Sequence, residues 1–119
     1  MKTFKDLKFM VDPTRANRQR AKIDLDIYSM SVVFGDGVYG KGPTHDTYEV
    51  AAWEVDRDDF LHLSEDSDVL GWQNEAEITN LMKILQTEPD FGKMLRVLKR
   101  TKYARKYSNI SHMRDAAFA

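Results

Sequence analysis

The fold turns on residues 21–34, AKIDLDIYSMSVVF. Ala21, Ile23, Leu25 and Ile27 fall on one side of an extended chain, with Lys22, Asp24 and Asp26 on the other. That alternation is the signature of a half-buried strand. From Tyr28 the apolar residues move to even positions, Tyr28, Met30, Val32 and Phe34. A slip of one residue in a period-two pattern turns every side chain over. A bulge or a tight turn is therefore predicted near Asp26–Tyr28, and residues 30–34 are either a second strand or a continuation of the first.

Gly35-Asp36-Gly37 closes this segment, and a polar stretch runs to Asp46. Residues 47–55, TYEVAAWEV, are β-branched and aromatic, with Tyr48, Val50 and Ala52 on one face. They predict a strand antiparallel to the one before the loop. Asp56 to Asp59 reads as a turn and Phe60 to Leu63 as a short strand. Val69, Leu70 and Trp72 form another apolar cluster with a bend at Gly71. Asn74 followed by Glu77 has capping-box spacing, and Ile78, Leu81, Met82 and Leu85 form one helical stripe behind it. Thr87, Pro89 and Asp90 resemble a second helix start. Phe91, Met94, Leu95 and Leu98 repeat the stripe to about Arg105.

Upstream, Phe4, Leu7 and Phe9 suit a short strand or turn, Pro13 stops any helix, and residues 15–20 are too polar to bury. Residues 1–20 are thus expected to be a loosely ordered basic segment. Residues 21–107 form a single α+β domain in this reading, and residues 108–119 a mobile tail. The expected architecture is a small antiparallel sheet of three to five strands packed by two C-terminal helices.

The chain has 119 residues, 42% of them hydrophobic and 31% charged, which suits one soluble domain. No apolar run approaches membrane-spanning length, and MKTFKDLKFMVDP does not read as a secretion signal. Cys is absent, which excludes disulfides and thiolate chemistry and fits a cytoplasmic setting. The net charge of −1 hides segregation: residues 1–22 carry +5, residues 23–90 carry −13 and residues 91–119 carry +7. Such ends either fold back on the acidic middle, present phosphate-binding faces, or leave the middle to a basic partner.

Residues 35–40, GDGVYG, match G-x-G-x-x-G. A dinucleotide loop must open a helix, and Lys41-Gly42-Pro43-Thr44 resists one. The kinase segments that accompany such glycines are absent. A glycine-rich hairpin connection is the expectation. His45, His62 and His112 lack metal-ligand spacing, and no G-x-S-x-G surrounds a serine, so neither a metal nor a catalytic residue nor a cofactor is expected.

Two surfaces remain as candidates. The acidic loop side, with Tyr39, Asp56, Asp58, Asp59, Glu65 and Asp66, suits a protein partner. The basic C-terminal helix, with Lys93, Arg96, Lys99, Arg100, Lys102 and Arg105, suits nucleic acid as the alternative.

Residues 20–40 (RAKIDLDIYSMSVVFGDGVYG), 46–55 (DTYEVAAWEV), 67–72 (SDVLGW) and 77–82 (EITNLM) together resemble small accessory proteins encoded by bacteriophages and prophages. Those share a Y-x-x-S-V-x-x-G-x-G-x-Y-G stretch, a T-Y-E-V-A strand and a D-V-x-G-x segment before a short helix. The resemblance covers roughly residues 1–85 and brings no assigned activity to any residue. It implies a cytoplasmic product in a bacterial host that binds and blocks a host protein, such as a defence nuclease, in the manner of an anti-CRISPR protein.

Overall fold

The computed structural model describes residues 1–56, 59–61, 63, 68–88, 90 and 91. A 3-10 turn at Phe4–Asp6 leads into β1 (Met10–Asp12), β2 (Arg15–Leu25), β3 (Tyr28–Gly35), β4 (Tyr48–Glu54), β5 (Asp59–Phe60) and β6 (Val69–Gln73). Helix α1 (Glu75–Thr87) follows. All paired strands are antiparallel, in the order β1-β2-β3-β4-β5, with β6 also on β4. The outer edge of β4 is thus shared: β5 covers Trp53 and Glu54, and β6 covers Tyr48 to Ala51.

The phase slip is a two-residue hairpin. Leu25 pairs with Tyr28, and Asp26, at φ 75°, takes the first turn position. Short polar Asp tolerates this left-handed backbone better than most residues. The turn aligns Ala21, Ile23 and Leu25 with Val32, Met30 and Tyr28, and β4 adds Val50 and Ala52 to the same face. These eight side chains are all buried. Gly35 ends β3 at φ 115°, where its N–H donates to Gly40 O at 3.0 Å and a Cβ would collide with the Asn17 carbonyl oxygen. An isolated bridge between Gly42 and Thr47 and then β4 follow the glycines, so the segment is a hairpin connection and not a dinucleotide loop.

Helix α1 lies over that face with Ile78, Leu81, Met82 and Leu85 buried against it. Its start is the capping box the spacing predicts: Glu77 N donates to Asn74 Oδ1 at 2.8 Å and Asn74 N to Glu77 Oε1 at 3.0 Å. Asp46 Oδ1 accepts from Glu75 N at 3.0 Å, so two first-turn donors are satisfied by side chains. Leu61, Leu63 and Leu70 complete the same core. The second expected helix lies outside the described residues except for Phe91, which is buried in the core. The expected tail at 108–119 lies outside them too. No helix among the described residues is long and apolar enough to cross a membrane.

Residues 1–20 correct the expectation. They are part of the fold, and β2 runs straight through the boundary placed at residue 20. The described sheet consequently has six strands, one beyond the expected range. The physical reason is an aromatic cluster. Phe4 and Phe9 approach the buried Tyr48 ring at 5.0 and 5.8 Å, and Phe34 lies 5.2 Å from Phe9. Such pairs contribute beyond their buried area. Lys2 and Gln86 then bond reciprocally: Lys2 N donates to Gln86 Oε1 at 2.9 Å, and Gln86 Nε2 to Lys2 O at 2.8 Å. Truncating Phe9 to Ala should lower unfolding free energy by about 2 kcal/mol in urea titration. A loosely attached N-terminus would leave it unchanged.

Candidate functional site

Since α1 covers one face of the sheet, the alternate residues of β2, β3 and β4 meet on the other. The register sets them in rows across the strands. Arg20 pairs with Val33 and Val33 with Glu49. Lys22, Ser31, Ala51 and Val69 make the next row, then Asp24, Ser29, Trp53 and Phe60. Short side chains at Ser31, Val33 and Ala51 leave a floor. Arg18, Arg20 and Lys22 rise along β2, and Trp53 and Phe60 rise roughly 10 Å away, two strand spacings across. The result is an open groove of about 310 Å³, with Arg18, Arg20 and Asp12 on one side, Trp53 and Phe60 on the other, and Glu49 between; Lys22 stands just outside this lining and reaches it through Trp53.

Both walls are positioned. Lys22 Nζ sits 5.4 Å from the centre of the Trp53 ring, a cation–π contact at the rim of the groove. Phe60 meets Trp53 edge-on at 5.6 Å and remains 51% exposed. Arg18 is fixed by a turn lock. Its Nε donates to Asp12 Oδ2 at 2.8 Å and its Nη2 to Thr14 Oγ1 at 3.0 Å. Thr14 donates to Asp12 Oδ1 from its hydroxyl at 2.7 Å and from its N–H at 2.9 Å. The Thr14 hydroxyl first, then its N–H and Arg18, hold the Asp12 carboxyl well below the usual carboxylate range, at about 2. Among the described residues Arg20 has no carboxylate within ion-pair reach.

A second aromatic pair stands where β6 bulges. Leu70 faces Val50 and Gln73 faces Tyr48, so Gly71 and Trp72 together oppose Glu49. The extra residue puts Trp72 at φ 57°, a left-handed backbone that costs a bulky residue about 1–2 kcal/mol. Trp72 N donates to Tyr39 O at 2.8 Å, and Tyr39 N to Glu49 Oε1 at 3.2 Å. A Cβ at Gly71 would stand 2.5 Å from Tyr39 Cβ, so only glycine lets the loop approach. Tyr39 and Trp72, ring centres 6.2 Å apart, are 58% and 53% exposed.

Of the residues expected at the acidic surface, Tyr39 is thus exposed and paired. Asp56 is exposed in the turn after β4 and Asp59 opens β5 opposite Glu54. Asp58, Glu65 and Asp66 lie outside the described residues, as do Lys93, Arg96, Lys99, Arg100, Lys102 and Arg105. Tyr39 and Asp56 do not meet: Tyr39 bonds at Glu49, and Asp56 lies beyond the far end of β4, roughly 20 Å along the strand. The groove residues Arg20, Trp53 and Phe60, Lys22 beside them and the exposed Trp72 are not in either expected set. Their sequence signal was the second face of β4, where Trp53 follows Glu49 and Ala51 at alternate positions.

No group of three or more His, Asp or Glu among the described residues is placed to hold a metal ion. His45 shares a hydrogen bond with Thr44, Nδ1 to Oγ1 at 2.9 Å. Comparison with protein-family models, with curated proteins and with solved structures gives no match.

The lock at Asp12 has a defined acid response. Its folded value, about 2, lies below the unfolded value of about 3.9. The lock therefore stabilises the fold fully above the unfolded value and is lost as pH falls through the folded one. The stability difference between wild type and Asp12→Asn, from urea unfolding, should stay constant from about pH 7 to 5 and shrink from about pH 4 to 2. A difference that is flat throughout would remove the lock.

Proposed function

We propose that this is a non-catalytic docking protein of phage type, acting in the bacterial cytoplasm, which binds a host protein and modulates or inhibits it. The observation that carries this is Trp72: a large aromatic residue in a strained backbone, half exposed, with the Tyr39 ring tilted beside it. A fold gains nothing from strain spent on showing a ring to water, and such outliers concentrate at functional positions. Tyr, Trp and Arg are also the residues that carry most binding energy in protein interfaces. Tyr39, Trp72, Trp53, Phe60 and Arg20 supply that composition on one side of the sheet. The phage resemblance of residues 20–40 and 46–55 supports a host protein as the target class. Nucleic-acid binding through Lys93 to Arg105 is supported by the basic sequence alone.

Affinity capture from a bacterial lysate, with and without nuclease, tests the docking function. Wild-type protein should retain a host protein after nuclease treatment. Tyr39→Ala and Trp72→Gly should each weaken capture at least tenfold, about 1.4 kcal/mol. Trp72→Gly should change the melting temperature little, because relief of the left-handed strain offsets the lost ring contact. A capture that vanishes with nuclease, or no capture at all, overturns the function.

A further inference from the structure

We propose that the groove on the open face receives an acidic segment of the partner protein. Its carboxylates lie against Arg20 and Lys22, and its aliphatic or aromatic side chains lie against Trp53 and Phe60. This rests on the docking function above and adds to it the place and chemistry of the contact.

The charge pattern decides the occupant. Arg18 is already neutralised by Asp12, with its geometry fixed by Thr14. Arg20 therefore carries the unpaired positive charge of the groove wall, and Lys22, one pleat along β2, adds its own at the rim beside Trp53. Lys22 is held by the Trp53 ring alone among the contacts described for it, and a carboxylate is a stronger partner for an ammonium than a ring is. An arriving carboxylate draws Lys22 off Trp53 and uncovers the indole face for an apolar side chain. One segment thus satisfies both walls, and the Phe60 ring extends the apolar side.

A single-stranded nucleic acid offers anions and flat rings as well, but it carries a phosphate at every unit. Glu49 stands in the same row as Arg20, and Asp24 stands one pleat beyond Lys22. A polyanion must pass both carboxylates. A peptide places its acids opposite Arg20 and Lys22 and leaves the Glu49 position to a neutral or basic residue. A second copy of this chain fits poorly, because two open faces put wall against wall and leave the floors apart. The small floor at Ser31, Val33 and Ala51 admits side chains of an inserted segment instead.

The test pans a phage-displayed library of random 12-residue peptides on the full-length chain. Fluorescein-labelled 12-nucleotide oligo-dT and oligo-U are titrated alongside. Bound peptides and oligonucleotides are mapped by amide chemical shifts. Enriched peptides should combine Asp or Glu with Leu, Ile, Phe or Trp, shift the amides of Arg20, Lys22, Ser31, Ala51 and Trp53, and bind less tightly as salt rises. The double variant Arg20→Glu/Lys22→Glu should weaken them at least tenfold, and Lys83→Glu on the exposed side of α1 should not. If the charge reversal fails to fold, Arg20→Gln/Lys22→Gln takes its place and should weaken binding several-fold. Peptides that shift Tyr39 and Trp72 instead, or are indifferent to the β2 variants, overturn the groove assignment and leave docking standing. Failure to enrich any peptide overturns the groove assignment as well. Oligonucleotide binding that shifts the groove amides overturns both.

Discussion

The pleat of the sheet is the constraint on which the rest of this structure depends. Side chains alternate faces at every residue, so one face can be apolar only if each strand enters in the right phase. The Asp26-Ile27 turn sets that phase. It joins odd apolar positions on β2 to even ones on β3 without a mismatch, and β4 continues the even series. Were the turn one residue longer with the strands still paired, Met30 and Val32 would face solvent and Ser29 and Ser31 the helix. The burial of Met30, Val32, Val50 and Ala52 on one face is a consequence of that two-residue loop.

The same phase fixes what the open face can be. With the apolar series committed to α1, the alternate residues are free to vary, and they are not uniformly polar. β2 contributes Arg18, Arg20 and Lys22, β3 contributes Ser31 and Val33, and β4 contributes Glu49, Ala51 and Trp53. A solvated face needs no tryptophan, and the cost of leaving apolar rings in water makes such a cluster an indicator of contact. The Lys22 ammonium lies over the Trp53 ring, and Lys22 is itself exposed. The face thereby sets a charge and an indole ring in contact.

How far the sequence disclosed this depended on whether the signal was local. The parity slip at Asp26, the β4 strand and the Asn74-Glu77 box were legible because each is written in neighbouring residues. The ordered N-terminus was not, because Phe4 and Phe9 are organised by Phe34 and Tyr48, far along the chain. Residues 15–20 looked unstructured because their side chains are polar, although the β2 backbone pairs with β1 and β3 whatever those side chains are. Tyr39, placed by the sequence on the acidic loop side, is exposed. Trp72 was grouped with Val69 and Leu70 as an apolar cluster, and only the extra residue opposite Glu49 turns it outward while Leu70 stays in the core. Distances between loops decided the rest: Tyr39 and Asp56 share a loop-rich, acidic region of sequence but opposite ends of one strand.

The reciprocal bonds between Lys2 and Gln86 also order events during synthesis. Residues 2–9 have their aromatic seat on Tyr48 and their fastening on α1, both made from later parts of the chain. Phe4, Leu7 and Phe9 must therefore wait, unsatisfied, until most of the sheet and the helix have emerged. Phe4 and Phe9 thus close the aromatic end of the core against strands made after them.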